Sequence, residues 1–74
     1  MKEVYIKLNM LNEIKDFTAI AGKYSFDIDM ISGRYIVDGK SIMGIFSLDM
    51  TQPILVRIHN DDCNEFLDEI KEYL

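Results

Sequence analysis

Gly39-Lys40-Ser41-Ile42-Met43-Gly44-Ile45-Phe46-Ser47-Leu48 is the stretch on which the fold turns. Ser41 is placed to cap a helix, because a serine hydroxyl at that position accepts from an otherwise free N–H of the first turn. The helix is short: Asp38-Gly39 breaks what precedes it, and Gln52-Pro53 ends the segment, since proline disfavours helix in the residue before it. A helix of so few turns cannot bury apolar residues on every side. Ile45 and Leu48 are expected to face the core. Ile42, Met43 and Phe46 are then left as an apolar contact patch beside Ser41.

Both flanks of this segment alternate. Arg34 to Val37 precedes it, and Ile54, Val56 and Ile58 interleaved with Leu55, Arg57 and His59 follow it, so each reads as a strand. Further out, Ser32-Gly33 marks a tight turn. Before that turn Phe26, Ile28 and Met30 alternate with Asp27 and Asp29, a strand with one wet face. The spacing of Leu11, Ile14, Phe17 and Ala21 predicts a helix capped by Asn9 and closed by Gly22, where a left-handed residue is expected. Val4, Ile6 and Leu8 give the first strand. At the other end Asp62 and Glu65 resemble a capping box, and Cys63, Phe66, Leu67, Ile70, Tyr73 and Leu74 share one helix face. The order is β-α-β-β-α-β-α, an α+β open-faced β-sandwich with a four-stranded antiparallel sheet, read as one domain over residues 1–74.

Composition restricts what such a chain does. Apolar residues make up 49% of only 74 residues, which argues for a packed core. Eight basic against thirteen acidic side chains leave a net charge of −5, which repels a phosphate-rich partner and argues against direct nucleic-acid binding. No apolar run approaches the ~20 residues of a membrane span, and the opening Met1-Lys2-Glu3-Val4 enters a strand without a signal peptide, so no membrane association is expected. One cysteine excludes an internal disulfide and suits a cytoplasmic location.

The Gly39–Leu48 segment resembles the surroundings of the regulatory serine in HPr of low-GC Gram-positive bacteria, where a Lys-Ser-Ile-Met-Gly run is typical. Ala21-Gly22-Lys23-Tyr24 followed by Asp27-Ile28-Asp29 is similar to the helix-to-strand passage of the same family, the phosphotransferase-system phosphocarriers. The two stretches align without gaps. The resemblance implies the HPr-like fold, a serine-modifying HPr kinase/phosphorylase acting at Ser41, and partner binding through Ile42, Met43 and Phe46.

The departure lies at the first helix. HPr carries its active histidine there in a His-Ala-Arg-Pro run, with the helix N-terminus and the arginine stabilising the phosphoryl group. The same alignment places Met10, Leu11, Asn12 and Glu13 at those positions. Met10 accepts no phosphoryl group, Asn12 carries no charge and Glu13 adds a repulsive one. A subgroup of the family, the catabolite-repression HPr paralogue, has lost the histidine and kept the serine. Its phosphorylated form binds a transcription regulator. By this resemblance the chain is a regulatory protein and not an enzyme. The alternative is an unphosphorylated structural or assembly module of the same fold, with an exposed second helix that suits a weak homodimer.

The remaining chemistry-bearing residues suggest little. His59 is the only histidine and reads as an exposed strand-end imidazole. Asp27 and Asp29 share one side of a strand and could form an acid/base pair, yet they equally describe the polar face of an open sheet. Cys63 reads as a small core residue. No ligand spacing for a metal and no phosphate loop or nucleotide fingerprint is present, so neither metal nor cofactor is expected.

Overall fold

The computed structural model describes residues Met1–Leu74. The elements are β1 (Lys2–Ile6), α1 (Leu11–Ala21), β2 (Ile28–Ser32), β3 (Tyr35–Asp38), α2 (Ile42–Phe46), β4 (Ile54–Ile58) and α3 (Asn64–Glu69), with a short 3₁₀ turn at Lys71–Tyr73. The strands form one four-stranded antiparallel sheet in the order β1-β4-β2-β3. β4 therefore inserts between β1 and β2, and β2 between β3 and β4. Each helical crossover, β1-α1-β2 and β3-α2-β4, joins two parallel strands that are not neighbours.

Alternation sets the faces. Ile6, Ile28, Met30, Ile54, Val56 and Ile58 lie on the helix side and are buried, and each inward-facing residue removes apolar surface from water. α1 contributes Ile14, Phe17 and Ala21, and Phe66 and Ile70 close the core from the C-terminal end. Phe66 is fully buried, with its ring edge-on to Phe17, Tyr24 and Phe26 at centroid distances of 6.0, 5.4 and 6.1 Å. The β2–β3 turn is a two-residue loop, since Ser32 pairs with Tyr35. Gly33 has φ of 59° and no other residue is left-handed, which is the pattern of a type II′ turn.

Several local expectations are corrected. Met10, not Asn9, occupies the N-cap of α1. Leu11 is exposed because it sits in the first turn, ahead of the face that meets the sheet. Gly22 closes α1 with right-handed dihedrals, its N–H donating to the Thr18 carbonyl and the Lys23 N–H to that of Ile20, so no left-handed residue is needed. Cys63 takes the N-cap of α3, while the Asp62 N–H is turned back to Asn60 Oδ1 at 2.9 Å, and no capping box forms. The last helix also breaks at Ile70, which swings Leu74 into solvent and leaves Tyr73 buried. The Tyr73 hydroxyl donates to Asp16 Oδ2 at 2.6 Å, tying the C-terminal turn to α1. Burial, and then that carboxylate, push the phenol well above its ordinary pKa.

A second tether joins α1 to α3. Lys23 and the Tyr24 hydroxyl both donate to the carboxylate of Glu69. The bond from Lys23, and then that from Tyr24, hold the Glu69 carboxyl below its ordinary value. The same carboxylate pushes Tyr24 up to about 12. A carboxyl whose pKa is depressed by folding adds stability above its unfolded value of about 4.3, and that stability is lost as pH falls through the folded value. Glu69→Gln is therefore expected to lower the melting temperature at pH 7. Its deficit against the parent should shrink in melts at pH 3, and an unchanged deficit would show that the carboxylate charge is not what the tether uses.

Candidate functional site

Ser41 leaves Asp38-Gly39 in an extended conformation, with φ −107° and ψ 114°, and its hydroxyl oxygen accepts from the Gly44 N–H at 3.1 Å. The cap predicted from sequence is therefore made. The approach to it is held on both sides. The Lys40 N–H donates to Asp38 Oδ1 at 2.9 Å, and Lys40 Nζ donates to the Tyr24 carbonyl at 2.7 Å, anchoring the serine beside the end of α1. A Cβ on Gly44 would stand 3.2 Å from Val37 Cβ and 3.3 Å from Ser41 Oγ, so glycine there lets α2 settle on β3 and keeps the cap close.

Two of the five apolar positions of this segment point inward: Ile45 is fully buried and Leu48 nearly so. The others do not. Met43 is 78% exposed, Phe46 55% and Ile42 39%, on a helix whose first turn carries Ser41. Ser41 itself is half-buried, with the hydroxyl at the rim of this patch. Met10 and Leu11, at the start of α1, are exposed as well, and α1 packs against α2.

The N-terminus of α1 already carries an anionic side chain. Glu13 reaches back so that its Oε1 accepts from the N–H groups of Asn9 at 2.6 Å and Met10 at 3.0 Å, the reciprocal half of a capping box. A negative carboxylate thus already sits at the start of the helix, where it repels an incoming phosphoryl group. The sequence signal for this was the Glu13 that the alignment had already marked as repulsive.

His59 lies beyond the end of β4 and faces solvent, as its position in the sequence implied, but it is not free: Nε2 is 2.7 Å from Asp29 Oδ2. Asp27 contributes its carbonyl to the His59 N–H at 2.9 Å. Asp29 and His59 are brought together on the bare side of the sheet, away from Ser41. Cys63 is buried with its thiol free. No three His, Cys, Asp or Glu side chains converge as metal ligands, and no helix is long and apolar enough to cross a membrane.

A split βαββαβα sandwich with one bare sheet face, and a serine-capped apolar helix packed beside the start of α1, defines a protein of the HPr-like class. The sequence matches, over residues 12–74, the family described as PTS HPr component phosphorylation site, and the chain belongs to that family. Met10 falls just before the matched span. HPr-C-His from Thermoanaerobacter tengcongensis is similar at 29% identity and a TM-score of 0.80, over 97% of this chain and 89% of that one. The phosphocarrier protein HPr from Bacillus anthracis is similar at 26% identity and a TM-score of 0.74, over 99% and 94%. A histidine-containing phosphocarrier protein from Mycoplasma, at 18% identity and a TM-score of 0.71 over 96% and 86%, shares the fold. No curated protein matches the chain.

Proposed function

We propose that this family member is a cytoplasmic regulator that does not carry phosphate on a histidine, works by binding rather than catalysis, and is switched by phosphorylation of Ser41. The observation that carries this reading is the pairing of a capping hydroxyl with three exposed apolar side chains, Ile42, Met43 and Phe46, on the same short helix. It is supported at the other site by Met10, which has no phosphoryl-accepting atom, and by the Glu13 carboxylate lodged on the backbone donors there.

A phosphate on Ser41 adds about −1.5 to −2 charge at the edge of an apolar patch. A partner whose groove is apolar and flanked by a basic residue gains a charge-assisted contact, while one with an acidic or dry rim is rejected. By family resemblance the modifying enzyme is an HPr kinase/phosphorylase and the partner a transcription regulator. The test is intact-mass analysis after incubation with ATP and a Gram-positive HPr kinase. The parent is expected to gain one phosphate and Ser41→Ala none. Ser41→Ala should also cost about 1 kcal/mol in denaturant unfolding, the usual worth of a serine N-cap. A folded parent that gains no phosphate would sink the switch and leave a structural or assembly module.

A further inference from the structure

The helices cover one face of the sheet and leave the other bare, and the register sorts that bare face into two rows. Tyr5, Leu55, Ile31 and Ile36 are successive cross-strand neighbours over all four strands, an unbroken apolar band. Its ends, Tyr5 and Ile36, are 64% and 61% exposed. The band runs into a shallow cavity of about 810 Å³ between the Gly33 turn and the Ser47–Pro53 loop, with Tyr5, Ile31 and Leu55 in its lining.

The next row is Glu3, Arg57, Asp29 and Asp38. Arg57 Nε donates to Glu3 Oε2 at 2.8 Å, so those two charges neutralise each other. That leaves Asp29 directly opposite Asp38 on adjacent strands, a like-charge pair that weakens a sheet. Asp29 has only the imidazole of His59, and Asp38 makes no ion pair, its Oδ1 accepting from the Lys40 N–H. The face therefore presents an apolar band beside an under-neutralised acidic pair.

We propose that this face docks a partner protein through a cationic amphipathic segment. Apolar side chains of the segment lie along Tyr5, Leu55, Ile31 and Ile36, and its lysine or arginine side chains stand over Asp29 and Asp38. Charge complementarity selects this occupant. A second copy would set the same two aspartates against themselves on chains that each carry −5, and an anionic bilayer would meet them with the same sign. The surface lies on the side of the sheet opposite the helices, so it leaves Ile42, Met43 and Phe46 open to a second partner.

The experiment titrates ¹⁵N-labelled protein with two synthetic peptides of equal length, one alternating leucine with lysine and the other leucine with glutamate. The lysine peptide is expected to shift the amides of Tyr5, Ile31, Ile36, Leu55 and Arg57, with affinity falling as salt is added. Asp29→Asn with Asp38→Asn should weaken it at least about tenfold, equivalent to about 1.4 kcal/mol. Asparagine keeps an oxygen acceptor for His59 and for the Lys40 N–H while the like-charge pair is removed, so the melting temperature should not fall, which separates lost binding from lost folding. Shifts centred on Ile42, Met43 and Phe46, equal binding of both peptides, or no binding would each overturn the proposal. So would concentration-dependent dimerisation, by sedimentation, that shields this face.

Discussion

Phe66→Ala is expected to leave the chain without a stable native state at room temperature. Phe66 is completely buried and is the one ring that touches Phe17 of α1 together with Tyr24 and Phe26 of the α1–β2 passage. Truncating a buried phenylalanine costs about 3–5 kcal/mol through lost transfer energy and the cavity left behind. A domain of this size holds a total of only about 5 kcal/mol at the lower end of the usual range. The loss is further enlarged because each edge-to-face contact adds to the area term. The measurement is chemical denaturation followed by near-ultraviolet circular dichroism, where the tyrosines report fixed packing. Phe66→Leu, which keeps most of the volume, should fold with a lowered midpoint. If Phe66→Ala unfolds at a midpoint close to the parent's, the aromatic cluster is not the keystone of the core.

Why so much of this core was readable in advance follows from its periodicity. Ile54, Val56 and Ile58 fall on one side of a strand whatever their neighbours do, and all are buried. Ile14, Phe17 and Ala21 obey the helical spacing in the same way. The Ser41 cap was equally legible, since its partner Gly44 is only three residues on. What escaped was contact between distant parts of the chain. Glu69 meets Lys23 and Tyr24, and Asp29 meets His59, only after β4 has inserted beside β2 and α3 has come down on α1. No local pattern marks which carboxylate receives which donor. The misplaced helix ends have a different cause. Asn9 and Met10 are adjacent and both extended-capable, and Glu13 serves the N–H groups of both, so cap identity was settled by one residue of register. Leu74 fits the helical stripe of α3 only if the helix continues, and it stops at Ile70.

The proposal that this chain carries no phosphate on a histidine leads to the second large effect. Exposed to a phosphohistidine donor of the phosphotransferase system, the parent is expected to take up no acid-labile phosphate. Met10→His with Asn12→Arg supplies the acceptor ring and the cation, yet Glu13 Oε1 still occupies the N–H groups of Asn9 and Met10. A phosphoryl group on a ring at position 10 would stand close to that carboxylate. At about 4 Å and an effective dielectric of 20, two unit charges interact by about 4 kcal/mol, close to three orders of magnitude in the transfer equilibrium. Adding Glu13→Gln keeps a side chain that reaches back to the same backbone while removing the charge. The double variant should therefore acquire only traces of phosphate and the triple variant close to one per chain, read by mass before and after acid treatment. Equal uptake by double and triple would show that the Glu13 charge is no barrier. No uptake by a folded triple variant would mean that the loss extends past these positions to the surface that meets the donor, where Leu11, Ile42 and Phe46 are the exposed neighbours to restore next.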